Sequence, residues 1–170
     1  MYWTKKHVLV CTASHCSQKG ANDVVGKLRL DIVRKGLDTE ILINNCGTID
    51  LCDIGPNMVI YPDNVILHGV TVKDIPEIVE YLKGGPRVER LVVSRTSAEE
   101  SVRRAAYVEA WGESGTRLAD EFAAIANRHG FDEIWIAEQQ RRGFIARKTG
   151  EGGDMITITK KARDRYSLAG

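Results

Sequence analysis

The sequence predicts an α/β protein, because short apolar runs alternate with segments of helical spacing over the first hundred residues. A second observation is that all four cysteines lie in the first third of the chain. A third is a change of composition after residue 95, where Ala, Glu and Arg become frequent. With 170 residues, 43% hydrophobic and 28% charged, the chain has the composition of an ordinary globular protein. Its net charge of +1 does not by itself predict a nucleic-acid partner.

The first predicted unit is β-α-β. Residues 6–11 form an apolar, β-branched run typical of a buried strand. Residues 21–35 carry apolar side chains at helical spacing and end before Gly36, and residues 38–44 are predicted to form the next strand. A strand, a helix and a strand joined by short links form a right-handed crossover. The first two strands should therefore be parallel neighbours.

A β-β-α unit follows. Two short apolar runs, residues 58–61 and 65–67, are separated by Pro62-Asp63-Asn64, residues that favour a tight turn, so a hairpin is expected. A helix is predicted over residues 74–82, closed by the Gly84-Gly85-Pro86 sequence. The order β-α-β plus β-β-α is that of a thioredoxin-like core.

Residues 96–170 are predicted to be a separate extension after a core domain of residues 1–95. Ser97 and Glu100 have the spacing of a capping box before a helix over residues 101–111. Further helices are predicted over residues 116–129 and 132–142. A basic β-hairpin is then predicted, with strands over residues 144–146 and 155–158 and a glycine-rich tip between them.

The cysteines form two close pairs, Cys11 with Cys16 and Cys46 with Cys52. Each pair follows a predicted strand, and parallel strands end at the same edge of a sheet. The four thiolates should then converge, and sets of thiolate ligands select zinc or iron–sulfur clusters.

The expected cellular compartment favours metal binding by the cysteines over disulfide formation. The apolar stretch near the N-terminus is too short for a signal peptide or a membrane span, so a cytoplasmic protein is expected. In a reducing compartment, such cysteines are better explained as ligands than as disulfides. Neither pair has the C-x-x-C spacing of thiol–disulfide catalysts, and no other active-site motif is present, so no enzyme activity is predicted.

Several short motifs resemble those of the thioredoxin-like [2Fe–2S] ferredoxins, which include the Shethna-type protein II and are related to the small cluster-bearing subunit of the NADH:quinone oxidoreductases. The resemblance covers residues 5–93 and is carried by Cys11-x4-Cys16-x2-Lys19-Gly20, Cys52-x2-Gly55-Pro56-x4-Tyr61-Pro62, Gly69-Val70 and Ile75-x2-Ile78. It implies one [2Fe–2S] cluster, with Cys11 and Cys16 as the first ligand pair and Cys52 as the last ligand.

The third ligand departs from the family pattern. The family usually has a cysteine four positions before the last one, but this chain has Thr48 there. With no fifth cysteine in the chain, Cys46 is expected to take this role, either through a loop with two extra residues or by reaching over to the cluster. His15 is the alternative ligand, because [2Fe–2S] clusters of Rieske type accept imidazole.

The resemblance implies a one-electron carrier between protein partners, a reductase and an acceptor enzyme, or a protective partner that binds an enzyme. It also implies a homodimer. Residues 96–138 carry 4 Lys and Arg against 9 Asp and Glu, and residues 139–170 carry 8 against 3. We expect this charge to bind a protein rather than nucleic acid or a membrane.

Two alternatives remain open. One is a redox-sensing, DNA-binding regulator. The basic hairpin faintly resembles the wing of winged-helix DNA-binding domains and carries Arg141, Arg142, Arg147 and Lys148. A structural zinc protein with all four cysteines as ligands is the other.

Overall fold

The computed structural model describes residues 3–94, 97–150 and 152–168, and it does not describe the side chain of Cys52. The chain divides into two compact units, residues 1–94 (unit 1) and 95–170 (unit 2). The predicted boundary at residue 95 lies outside the described residues. Within the described parts of the chain, no helix is both long enough and apolar enough to span a membrane.

Unit 1 contains a four-stranded mixed sheet. Its strands and helices are β1 (Lys6–Cys11), α1 (Ser14–Gln18), α2 (Ala21–Arg34), β2 (Ile41–Cys46), β3 (Met58–Tyr61), β4 (Val65–Leu67) and α3 (Ile75–Leu82). Short 3-10 turns lie at Cys52–Ile54, Val72–Asp74 and Glu89–Leu91. The strand order is β2-β1-β3-β4, with β1 parallel to β2 and the other pairs antiparallel. The predicted β-α-β and β-β-α units are both confirmed.

The core of unit 1 is aliphatic. Alternate residues of β1 and β3, such as Val8 and Ile60, are fully buried, as are Leu28 of α2 and Ile78 of α3. Burial of such side chains contributes about 1.5–3 kcal/mol each. The packed core of the sheet and the two helices therefore fixes the positions of the ends of β1 and β2, from which the cysteine-bearing segments continue.

The second strand differs from its prediction. It begins at Ile41 rather than at residue 38, because a turn at Leu37 intervenes, in which the amides of Glu40 and Ile41 donate to the Leu37 carbonyl over 3.0 and 2.9 Å. It also continues to Cys46, because its pairing with β1 runs to the last residue of both strands. Cys46 is thus a strand residue and not part of a loop.

Unit 2 combines helices with a three-stranded antiparallel sheet of order β5-β7-β6. Its elements are α4 (Ala98–Trp111), β5 (Thr116–Leu118), α5 (Ala119–Arg128), α6 (Glu133–Arg141), β6 (Ile145–Gly150), β7 (Gly153–Ile158) and α7 (Lys160–Tyr166). Strands β6 and β7 form the hairpin that the sequence predicts between residues 144 and 158.

Two sequence predictions in unit 2 are wrong. Residues 116–118 are a strand and not the start of a helix, because the edge of β7 pairs with them and the Arg117 side chain bonds to the carbonyl of Ala110 over 2.7 Å. Tertiary contacts override the helical spacing here. The capping box also fails, since the Ser97 side chain makes no cap hydrogen bond and Glu100 accepts hydrogen bonds from Arg103 and Arg165 instead.

Candidate metal centre

Strands β1 and β2 end on paired cysteines. Cys11 lies directly opposite Cys46 in the parallel register, where neighbouring strands are about 4.8 Å apart. Cys11 is buried, and Cys46 is partly exposed. Burial, and then the neighbouring Cys11, raises the pKa of the Cys46 thiol. The two thiols are therefore close enough to interact electrostatically.

Cys16 lies in the short helix α1, which the sequence does not predict. Its side chain is buried and packs in one cluster with Cys11 and Ala21, against which Cys46 and Ile49 also pack. The Ser17 hydroxyl donates a hydrogen bond of 2.9 Å to the carbonyl at position 12 and so fixes α1 to the end of β1. Three of the four predicted ligands thus share one small cluster.

Hydrogen bonds tie the cysteine-bearing segments together. The amide of Thr12 donates to the carbonyl of Cys46 over 3.0 Å, and the amide of Cys11 donates to the carbonyl of Asn57 over 2.9 Å. The Lys19 ammonium donates to the carbonyl of Asp53 over 2.6 Å. The ends of β1, β2 and the Cys52 segment are therefore held against one another by the protein itself.

Cys52 begins the 3-10 turn Cys52–Ile54, and its side chain lies outside the described residues. Among the described side chains, no three of His, Cys, Asp or Glu are gathered in a group that could hold a metal ion. His15, the alternative ligand, has an exposed side chain on α1. Whether Cys46 or His15 serves as third ligand stays a prediction.

The donor chemistry fits an iron–sulfur cluster. Three cysteines share a small cluster with Ala13, Ala21 and Ile49, and four cysteine thiolates are the usual ligands of a [2Fe–2S] cluster. Gly47 follows the third cysteine, and a Cβ there would meet no protein atom within 4 Å. Gly47 is exposed, so the chain next to Cys46 lies at the surface.

Comparison with known proteins agrees with this fold. No protein-family model matches the chain. A 2Fe-2S ferredoxin of Clostridium pasteurianum is 32% identical over 98 residues, which cover 52% of this chain and 96% of the relative. A 2Fe-2S ferredoxin of Aquifex aeolicus is 37% identical over 103 residues, covering 53% of this chain and 90% of the relative.

Solved structures show the same likeness. The crystal structure of the wild-type thioredoxin-like [2Fe-2S] ferredoxin from Aquifex aeolicus superposes with a TM-score of 0.50 at 36% identity and covers 54% of this chain and 98% of that one. Fold and sequence likeness together define a thioredoxin-like protein, in which three cysteines lie close together. More narrowly, the chain belongs to the thioredoxin-like [2Fe–2S] ferredoxins. About half of the chain has no counterpart in these relatives.

The basic residues of unit 2 are less available than the sequence predicts. Arg142 is buried with its guanidinium 4.7 Å from the centroid of the Phe144 ring, so its expected place on a charged surface is wrong. Arg141 bonds to Glu138 over 2.6 Å, and Arg147 bonds to Asp154 over 3.0 Å. Much of the positive charge in the hairpin region is therefore balanced inside the unit.

The wing-like hairpin alone does not make unit 2 a DNA reader. In helix-turn-helix proteins, the first residues of the recognition helix meet base edges. Asp132 caps α6 and Glu133 begins it, while Asp120 and Glu121 lie in the first turn of α5. The electrostatic attraction to DNA phosphates comes from Lys and Arg. These helix starts carry the opposite charge, so the DNA-binding alternative is not favoured.

Proposed function

We propose that this protein is a one-electron carrier whose [2Fe–2S] cluster is held by Cys11, Cys16, Cys46 and Cys52. The observation that supports it best is the parallel pairing of Cys11 with Cys46, together with the cluster that Cys11 and Cys16 share and against which Cys46 packs. Family membership supports the same assignment. When bound, such a cluster takes up and releases single electrons.

The chain's own residues have distinct roles in this proposal. Cys11 and Cys16 are buried and lie on the protein side of the site, whereas Cys46 is partly exposed. Exposed residues Asn45 and Gly47 flank Cys46, so this edge of the sheet is where a partner would come nearest to the cluster. The hydrogen bonds of Thr12 and Lys19 keep the cysteine segments in place while electrons are exchanged.

The finer parts of the proposal rest on resemblance. We propose that the partners are proteins, namely a reductase and an acceptor enzyme, that the carrier has no catalytic activity of its own, and that it works in the cytoplasm as a homodimer. Sedimentation analysis of the purified protein checks the dimer. A monomer at micromolar concentration would contradict that part alone.

Visible absorption tests the function. Protein purified without air should be red-brown and should contain two irons and two acid-labile sulfides per chain. Dithionite should bleach the colour with uptake of one electron per chain, and reoxidation should restore it. Colourless protein with one zinc per chain would overturn the proposal in favour of a structural zinc site.

Single substitutions test the ligands. Each of Cys11→Ser, Cys16→Ser, Cys46→Ser and Cys52→Ser should lower the iron and sulfide content strongly, because serine is a poor substitute for a thiolate. His15→Ala is the matched control and should keep the full cluster. Full cluster content in Cys46→Ser, with loss in His15→Ala, would exchange the roles of these two residues.

A further inference from the structure

Asn57 lies at the point where the cysteine-bearing segments meet. It stands between Pro56 and strand β3 and is 1% exposed. Its carbonyl accepts the hydrogen bond of 2.9 Å from the amide of Cys11. The main chain of Asn57 is therefore fixed to the end of β1, which carries the first cysteine.

The side chain of Asn57 reaches two further segments. Its Nδ2 atom donates to the carbonyl of Leu51 over 2.6 Å and lies 3.9 Å from Sγ of Cys16. A primary amide carries two N–H donors, so one nitrogen can serve both acceptors. The Leu51 carbonyl accepts only, and this fixes the nitrogen on the side that faces Cys16.

The contact with Cys16 depends on the charge of the sulfur. A distance of 3.9 Å is long for a hydrogen bond to a neutral thiol, which is a weak acceptor. A cysteine binds metal as the thiolate, and hydrogen bonds to a charged acceptor are shorter and about twice as strong. The same amide hydrogen should therefore bind Cys16 more firmly once that residue is a ligand.

We propose that Asn57 is a positioning residue for the cluster. Its side chain holds the segment that leads into Cys52 against Cys16, and its N–H donor raises the reduction potential through the Cys16 sulfur. The inference rests on the proposed function. Hydrogen bonds to the sulfurs are one determinant of the potential of iron–sulfur proteins. A donor stabilises the extra negative charge of the reduced site and so favours reduction.

Asn57→Leu and Asn57→Ser test this role. The leucine variant removes the donor at similar volume, and the serine variant keeps a shorter hydroxyl donor. Met58→Ala is the matched control, because Met58 is the next residue and is fully buried in the aliphatic core instead. Iron and sulfide content, the reduction potential and the far-ultraviolet circular dichroism spectrum are measured for all four proteins.

Asn57→Leu should keep the circular dichroism of the wild type, load less cluster, and disfavour reduction about tenfold, which is about 59 mV for a one-electron couple. The cluster content and reduction potential of Asn57→Ser should lie between those of the wild type and Asn57→Leu. Met58→Ala should lose stability but keep the reduction potential of the wild type. Wild-type loading and potential in Asn57→Leu would overturn the inference, as would an equal shift in Met58→Ala. Wild-type protein without iron would contradict the proposed function itself.

A measurement on the unmodified protein keeps the test independent of how the variants fold. With asparagine side chains labelled by 15N, the Asn57 amide signals should be broadened by the reduced, paramagnetic cluster. Asn64 is the internal control, because it lies in the turn between β3 and β4, at the other end of β3. Sharp Asn57 signals in the reduced protein would overturn the inference.

Discussion

The core of unit 1 is built from aliphatic side chains, whereas the core of unit 2 combines aromatic rings with buried charged groups. In unit 2, Tyr107 stacks on Tyr166 with ring centroids 4.6 Å apart, and Phe131 stacks on Trp135 at 4.1 Å. Glu100 and Arg103 are buried within the same unit. Among the described residues of unit 1, the buried polar ones are Asn57, His68 and Asp74, and these lie outside its strands and α-helices.

The two cores should lose stability in different ways when a single residue is substituted. An aliphatic core loses stability in proportion to the volume removed. A buried charge is different, because removal of its partner leaves it uncompensated in a medium of low polarity. Glu100 accepts hydrogen bonds from Arg103 over 2.9 Å and from Arg165 over 3.1 Å. Unit 2 should therefore be the more sensitive of the two to the loss of one charged group.

The largest effect is expected for Glu100→Ala. It removes the buried carboxylate that accepts hydrogen bonds from Arg103 and Arg165 and should cost unit 2 about 3–5 kcal/mol in free energy of unfolding. Urea unfolding followed by tryptophan fluorescence reports mainly on unit 2, since Trp111 and Trp135 belong to it, whereas Trp3 of unit 1 is already 83% exposed in the folded protein. Glu121→Ala, on the exposed side of α5, is the control and should change little. Equal stability of the two variants would refute the comparison.

In unit 1, Leu28→Ala should cost about 2–5 kcal/mol, because the side chain is fully buried in α2 and leaves a cavity. Leu30→Ala, on the same helix, removes a side chain that is 44% exposed and should cost no more than about 0.5 kcal/mol. Loss of visible absorption during urea unfolding measures both. Similar midpoints for the two variants would show that α2 does not anchor the sheet.

A smaller effect is expected for Glu109→Gln on the surface of unit 2. Hydrogen bonds from Arg128, and then from His129, hold the pKa of Glu109 below its usual value. A lowered pKa in the folded state stabilises the protein above the unfolded pKa of about 4.3, and the gain is lost as the pH falls further. The wild type should unfold at slightly higher urea than the variant at pH 7, and by a smaller margin at pH 3, because the gain is lost as the pH falls through the lowered pKa of the folded state. A difference that grows at pH 3 would contradict this sign.

The smallest effect is expected for removal of residues 96–170. Every candidate ligand precedes residue 95, and the core of unit 1 is formed from its own residues. The shortened protein should hold the cluster with the absorption spectrum and iron content of the full chain. A colourless, unfolded product would show that the two units are not independent.

Much of unit 1 can be predicted from the sequence. Strands β1, β3 and β4 have the predicted bounds, since β-branched alternation and a turn-forming sequence mark each one. Unit 2 is harder, because Glu100, Arg103 and Glu138 are charged yet buried and so hide the apolar spacing of their helices. Residues 116–118 form a strand only because β7 pairs with them, a contact that no local pattern contains.

The candidate site, too, is predictable from the sequence only in part. The approach of Cys11 to Cys46 follows from two parallel strands, which the order of elements predicts. Helix α1 has only five residues, too few for a visible period. Asn57 was missed, because a polar residue between Gly55-Pro56 and an apolar run is typical of a turn. Its burial depends on the packing of segments far apart in sequence.

The pairing of Cys11 with Cys46 has a consequence for how this kind of protein can diverge. Hydrogen bonds between two strands set the position of Cys46, whereas residues 47–51 form the connection to the next cysteine, in which Ile49 packs against the cysteine cluster and Leu51 is buried. Insertions or deletions in that connection would alter the spacing between the last two cysteines and leave the first three in place. A search based on fixed cysteine spacing would overlook such descendants, and a search based on strand order would retain them.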